Sequence, residues 1–168
     1  MQETQALTPD FFDSILNEVE NPTPQAKKET LRKKFENERL AWTAKIQEMS
    51  QKMRDIFKVN DLMVDIYTER QRAVEYHHYL VSVFKAVNRT YTKKWADRYQ
   101  YYSYKSQIRF PNERTKELQI QSEMGEISET REELDNHIKF ISQTISTIDN
   151  LIYGIKYKVE IEQISRGK

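Results

Sequence analysis

Between residues 134 and 159 the apolar side chains fall at Leu134, Ile138, Ile141, Ile145, Ile148, Ile152, Ile155 and Val159, in steps of four and three throughout. Residues so spaced share one face of an α-helix and form an a/d heptad seam. Most of the seam is isoleucine at both a and d positions, a choice that shifts packing from two-stranded coils toward trimers and larger bundles. The residues Ile138, Ile141, Ile145, Ile148, Ile152, Ile155 and Val159 are therefore expected to carry self-association. The same stripe also fits packing against the chain's own upstream helices, and Leu151 beside the seam widens it enough to serve more than one neighbour. Thr130 followed by Glu133 reads as a capping box that sets where this helix begins.

The rest of the chain points the same way. Only three glycines and four prolines occur in 168 residues, with no glycine before Gly125, so turns are scarce and long helices are favoured over a sheet-rich fold. The absence of cysteine removes any disulfide framework and suits a reducing compartment. No run approaches the ~18 apolar residues of a membrane span, and the first residues lack the basic-then-apolar pattern of a secretory signal. A soluble, cytoplasmic chain with no membrane partner is expected.

Read in order, residues 1–26 hold a short helical candidate over 9–19, with Phe11, Phe12, Ile15, Leu16 and Val19 on one side, stopped by Asn21-Pro22-Thr23-Pro24. This segment reads as a tail or a docking peptide. From 26 to 59 the stripe Leu31, Phe35, Trp42, Ile46, Met49, Met53 and Ile56 has a helical period, with Arg39 where an apolar residue is missing. Asn60-Asp61 offers an N-cap and hence a break, the alternative being one continuous helix. A second helix over 61–103 carries Ile66, Val74, Leu80, Phe84, Val87, Tyr91, Trp95, Tyr99 and Tyr102. Phe110-Pro111-Asn112 turns the chain, residues 119–126 are too polar and short to assign, and the isoleucine helix follows. The expected fold is all-α, an elongated helical hairpin or bundle divided into a tail (1–26), a helical binding region (27–110) and a C-terminal oligomerisation helix region (111–168).

Charge is unevenly distributed. Lys85, Arg89, Lys93, Lys94, Arg98, Lys105 and Arg109 stand against the single acid Asp97, a local excess of six positive charges in a chain whose net charge is +1. Such a segment is the electrostatic footprint of a polyanion site. Interleaved with it are Tyr91, Trp95, Tyr99, Tyr101, Tyr102 and Tyr104. Cations that neutralise phosphates and rings that stack bases are the two ingredients of single-strand binding. Projection at 100° per residue puts Phe84, Tyr91, Trp95, Tyr99 and Tyr102 on one stripe, read as core, and leaves Tyr101 and Tyr104 outside it. The candidate single-stranded DNA site is Lys93, Lys94, Arg98, Tyr101, Tyr104, Lys105 and Arg109. The competing reading is a solvated helix whose long side chains lie over buried rings.

Catalytic constellations are missing: no cysteine nucleophile, no phosphate-cradling GxxxxGK[ST], no GxGxxG and no HExxH. His77 and His78 are adjacent and point ~100° apart on a helix, so no metal site is expected there. His137 reads as a seam-edge residue at a g position. Neither enzymatic activity nor a cofactor is expected.

Tyr67, Tyr76, Tyr79 and Leu80 in YTERQRAVEYHHYL, the basic run into KKWADRYQYYS, and the closing GIKYKVEIEQISRGK together resemble the UvsY-like recombination mediators of T-even-like bacteriophages, over roughly residues 46–168. The resemblance implies a small helical protein of DNA recombination and repair. It would bind single-stranded DNA, assemble into a homo-oligomeric ring of six or seven, and load a RecA-like recombinase onto DNA covered by single-strand-binding protein, in the host cytoplasm if phage-encoded. It implies that Arg98, ahead of Tyr101-Tyr102-Ser103, is a DNA-contacting base. Lys93 and Lys94 are the nearest counterparts of a second one, with Ala96 at the directly aligned place. The family's C-terminal assembly region corresponds to the isoleucine seam. Tyr104 stands where the family has a glycine. The alternative from a different class is a non-enzymatic structural coiled-coil protein or assembly chaperone of a virion, whose basic strip meets acidic protein.

Overall fold

The computed structural model describes residues 26–53 and 59–167. Among them the fold is all-α, with no strand: α1 spans Ala26–Lys52, α2 Val59–Gln100 followed by a π-helical turn at Tyr101–Lys105, α3 Glu113–Glu123 and α4 Gly125–Arg166. The helical candidate over 9–19, its proline stop and Ile56 lie outside the described residues. The described residues divide into two compact units, one of 26–28 with Val81–Asp135, the other drawn from 29–80 and 136–167. A linear cut at 110 follows neither unit, because the long helices α2 and α4 each contribute to both.

Helix boundaries shift from the expected ones for local reasons. Helix α1 ends at Lys52 and α2 begins at Val59, so Asn60 and Asp61 fall inside the first turn, where the Asp61 carboxylate meets the positive end of the helix dipole. Helix α4 begins at Gly125, nine residues before the seam. Thr130 is therefore not an N-cap: its hydroxyl donates to the Glu126 carbonyl one turn earlier, at 3.0 Å. Nothing in EISETREE breaks a helix, and its glutamates favour one.

In the unit built from residues 29–80 and 136–168, α1 and α4 run in the same direction and α2 runs against both. Contacts fix this: Lys45 pairs with Glu69 at 2.6 Å, Arg70 meets both oxygens of Asp149 at 2.5 and 3.4 Å, and the Lys158 ammonium donates to the Met53 carbonyl at 2.7 Å. The core holds Met49, Val59, Leu62, Ile66, Ala73, Ile148, Ile152 and Ile155, with Trp42, Ile46, Met53, Met63, Ile145, Leu151 and Val159 packed against it.

The isoleucine seam is thus covered by the chain itself. Ile141, Ile148, Ile152 and Ile155 are buried, while Ile138, Ile145 and Val159 are half-buried. Its width, extended by Leu151, matches two intramolecular neighbours, α1 and α2. Seam residues assigned to self-association are in this fold core residues. On α2 the buried face is Leu62, Ile66, Ala73, Leu80, Val83 and Val87, one position away from the expected Val74 and Phe84.

Between α1, α2 and α4 lies a polar group that periodicity does not reveal. His137, placed from sequence at the seam edge, is fully buried. Its Nε2 lies 2.9 Å from Glu38 Oε2 and 3.1 Å from the Tyr76 hydroxyl, which donates to the same Glu38 oxygen at 2.5 Å. The imidazole stacks on Phe35, with centroids 4.2 Å apart. No helix among the described residues is long and apolar enough to cross a membrane.

Candidate nucleic-acid interface

The basic segment belongs to the unit containing Val81–Asp135. On α2, Lys85, Arg89 and Lys93 recur every fourth residue, are all exposed, and form one ridge. Val83 and Val87 are buried on another face, and the continuation of that face by steps of seven and four reaches Lys94 and Arg98. Five of the seven cations lie on α2: Lys85, Arg89 and Lys93 make the ridge, while half-buried Lys94 and exposed Arg98 stand on the other face.

Arg98 meets an acidic neighbour because α3 folds back along the end of α2. Asn112 caps α3, its side-chain oxygen accepting from the Thr115 amide at 2.9 Å and the Thr115 hydroxyl at 3.0 Å. That start brings two carboxylates to the end of α2. Arg98 Nε lies 3.3 Å from Glu123 Oε2, and the Tyr102 hydroxyl donates to the same carboxylate. Glu113 accepts from the Tyr99 hydroxyl at 3.0 Å and from the Lys116 ammonium at 3.0 and 2.8 Å. Lys116 itself is buried, donates to Ser103 Oγ at 3.0 Å and sits 4.1 Å from the centre of the Tyr99 ring. The hydrogen bonds from Lys116 and then Tyr99 hold the Glu113 carboxyl below its ordinary range; that from Tyr102, followed by Gln119 and Arg98, does the same for Glu123.

Arg98 and Lys94, both candidates from sequence, are thereby distinguished from the others. Arg98 is tied to a carboxylate and Lys94 is half-buried. Lys85, Arg89, Lys93, Lys105 and Arg109 are exposed and form no ion pair with any described residue. A solvated phosphate can reach these five without displacing an acid.

The aromatic residues sort in the same way. Tyr91 and Trp95 are half-buried and stacked, with centroids 6.2 Å apart, and the Arg131 guanidinium lies 4.2 Å from the Tyr91 ring. Tyr102 is half-buried, edge-on to Phe110. Tyr99, assigned to the core stripe, is 38 % exposed, with the Lys116 ammonium over one face of its ring. Beyond Gln100 the helix widens into a π-turn closed by the Ser106 amide donating to the Tyr101 carbonyl at 2.9 Å. The extra residue re-aims the side chains that follow, a change often found at functional sites. Tyr101 is 44 % exposed and Tyr104 84 % exposed, with Lys105 beside them. Both tyrosines set apart from the core by sequence projection are in contact with solvent.

Residues 119–126, unassigned from sequence, provide the end of α3 and the start of α4. The sequence pattern does not reveal the buried Lys116, four residues before buried Ile120 on the same face, or Arg131 over Tyr91. An ammonium buried by an aromatic ring and a carboxylate carries no spacing signal of its own. The rings of His77 and His78 lie edge to face, 5.9 Å apart. Among the described residues no group of three or more histidine, aspartate or glutamate side chains is placed to hold a metal ion.

No family model, no curated protein and no solved structure matches this chain.

Proposed function

We propose that this protein binds single-stranded DNA through the ridge Lys85, Arg89 and Lys93 and the π-turn region Tyr101, Tyr104, Lys105 and Arg109, and acts as a recombination mediator. The observation that carries the reading is the coincidence, in one unit, of five exposed cations that have no acid partner among the described residues and two exposed tyrosines on a π-turn. Cations spaced along a helix neutralise phosphates without reading sequence, and exposed rings stack bases at ~1–3 kcal/mol per base.

Several copies acting on one strand would join modest contacts into a firm hold through effective concentration. A strand held this way is bent and partly stripped of a competing single-strand-binding protein, which leaves it open to a RecA-like recombinase. This step follows the family resemblance. The test is a loading assay: recombinase assembly on single-stranded DNA precoated with single-strand-binding protein, with and without this protein. Faster assembly is expected. Oligonucleotide binding without any effect on loading removes the mediator role, and no binding at low salt returns the chain to the structural coiled-coil or virion-chaperone reading.

A further inference from the structure

Helix α3 grips the end of α2 at two points, and each grip straddles the place where the α-helix widens into the π-turn. The Lys116 ammonium lies 4.1 Å from the centre of the Tyr99 ring, before the junction, and donates to Ser103 Oγ at 3.0 Å, beyond it. Glu123 repeats the arrangement, meeting Arg98 before the junction and the Tyr102 hydroxyl beyond it. The run Gln100-Tyr101-Tyr102-Ser103-Tyr104-Lys105 contains no glycine or proline, so the widening is selected by what packs against it rather than by a local break.

Lys116 is the firmer of the two grips. Its side chain is buried, whereas that of Arg98 is 54 % exposed, and exposed pairs hold weakly. An ammonium has three donors, and Ser103 Oγ, the Glu113 carboxylate at 2.8 Å and the face of Tyr99 take all three. The bond to Glu113 holds the group above its ordinary pKa against desolvation, so the charge is kept. On the same π-turn Tyr101 and Tyr104 are exposed. We infer that Lys116 is a positioning residue for strand binding: by tying Tyr99 to Ser103 it fixes the π-turn in the arrangement that presents Tyr101 and Tyr104, without touching the strand. Rings already held in place lose less freedom when a base stacks on them.

The inference rests on the strand-binding site proposed above, and its test has one arm that needs no nucleic acid. The Ser106 amide closes the π-turn on the Tyr101 carbonyl, so its hydrogen exchange reports whether the turn is held. Lys116→Met keeps the buried stem and removes the ammonium. Exchange at Ser106 should quicken by about five- to tenfold, with the helical circular dichroism spectrum unchanged. Ser103→Ala removes one partner only and should act in the same direction by less. In fluorescence anisotropy with oligo-dT, Lys116→Met should weaken binding by about three- to tenfold. Once Tyr101→Ala and Tyr104→Ala are in place, the same substitution should change it by less than about twofold. The salt slope should stay that of the parent protein, whereas a lysine that met a phosphate would take about 0.7 from its magnitude. Unchanged exchange at Ser106, an effect that multiplies in full with the tyrosine substitutions, or a reduced slope would overturn the inference. A parent protein that binds no oligo-dT at low salt overturns the strand-binding reading and the positioning role with it, while the exchange arm still tells a held turn from an unheld one.

Discussion

His137 Nε2 stands 2.9 Å from Glu38 Oε2, so a buried imidazole on α4 is tied directly to a carboxylate on α1, with the Tyr76 hydroxyl of α2 completing the group. The three helices are thereby locked in one register, which a uniform apolar stripe leaves free to slip by a turn. His137→Ala removes a fully buried ring stacked on Phe35 and strips Glu38 of a partner. It should cost roughly 3–5 kcal/mol in urea unfolding. Glu38→Gln keeps an acceptor in place and should cost less, about 1 kcal/mol. Equal effects would mean that the ring's packing is irrelevant.

Burial, then the Glu38 carboxylate, pushes the Tyr76 hydroxyl far above the ordinary tyrosine range. The unfolded chain releases this proton from about pH 10 upward, whereas the folded chain keeps it. The associated stability is complete below that pH and falls above it, by at most ~1.4 kcal/mol per pH unit. Urea unfolding at rising alkaline pH should therefore show a shallower loss in Tyr76→Phe than in the parent protein. The same slope in both would contradict the buried, protonated phenol.

The seam isoleucines are predicted to govern folding before assembly. Ile148 is fully buried among α1, α2 and α4 residues, and Ile148→Ala should destabilise the monomer by roughly 2–5 kcal/mol. Aspartates at Ile145 and Ile148 should unfold this unit outright, visible as lost helical signal. Retention of full helicity with loss of self-association would restore the seam as an interface.

Much of this was legible in the residue pattern, and the limits have physical causes. Periods of 3.6 and the scarcity of glycine give long helices, and the seam positions Leu134, Ile141, Ile148, Ile152 and Ile155 of α4 are buried. The partner of a stripe is not written in its spacing: the isoleucines that suit a multi-copy bundle suit α1 and α2 equally well. In the basic segment, the exposed Tyr101 and Tyr104 follow from projection, as does a basic ridge. The pairing of Arg98 with Glu123 does not, because it depends on α3, an 11-residue helix whose polar composition masks its period.

Tyr104 and Arg98 separate binding from scaffolding. Tyr104 is free to stack a base, so Tyr104→Ala should weaken oligo-dT binding by roughly 1–3 kcal/mol with little change in melting temperature. Arg98→Ala breaks a contact to Glu123 and should move binding by less than about threefold, a surface-pair effect. The opposite ranking in fluorescence anisotropy would place Arg98 at the strand, as the family resemblance implies.

The most direct measurement is the salt dependence of oligo-dT binding by fluorescence anisotropy. Five phosphate contacts at about 0.7 released counterions each predict a log–log slope near −3.5. Replacing Lys85, Arg89 and Lys93 together by alanine should reduce the magnitude of that slope by about 2 and leave the helical spectrum intact. No binding at low salt, or a slope that the triple substitution does not change, would contradict the account.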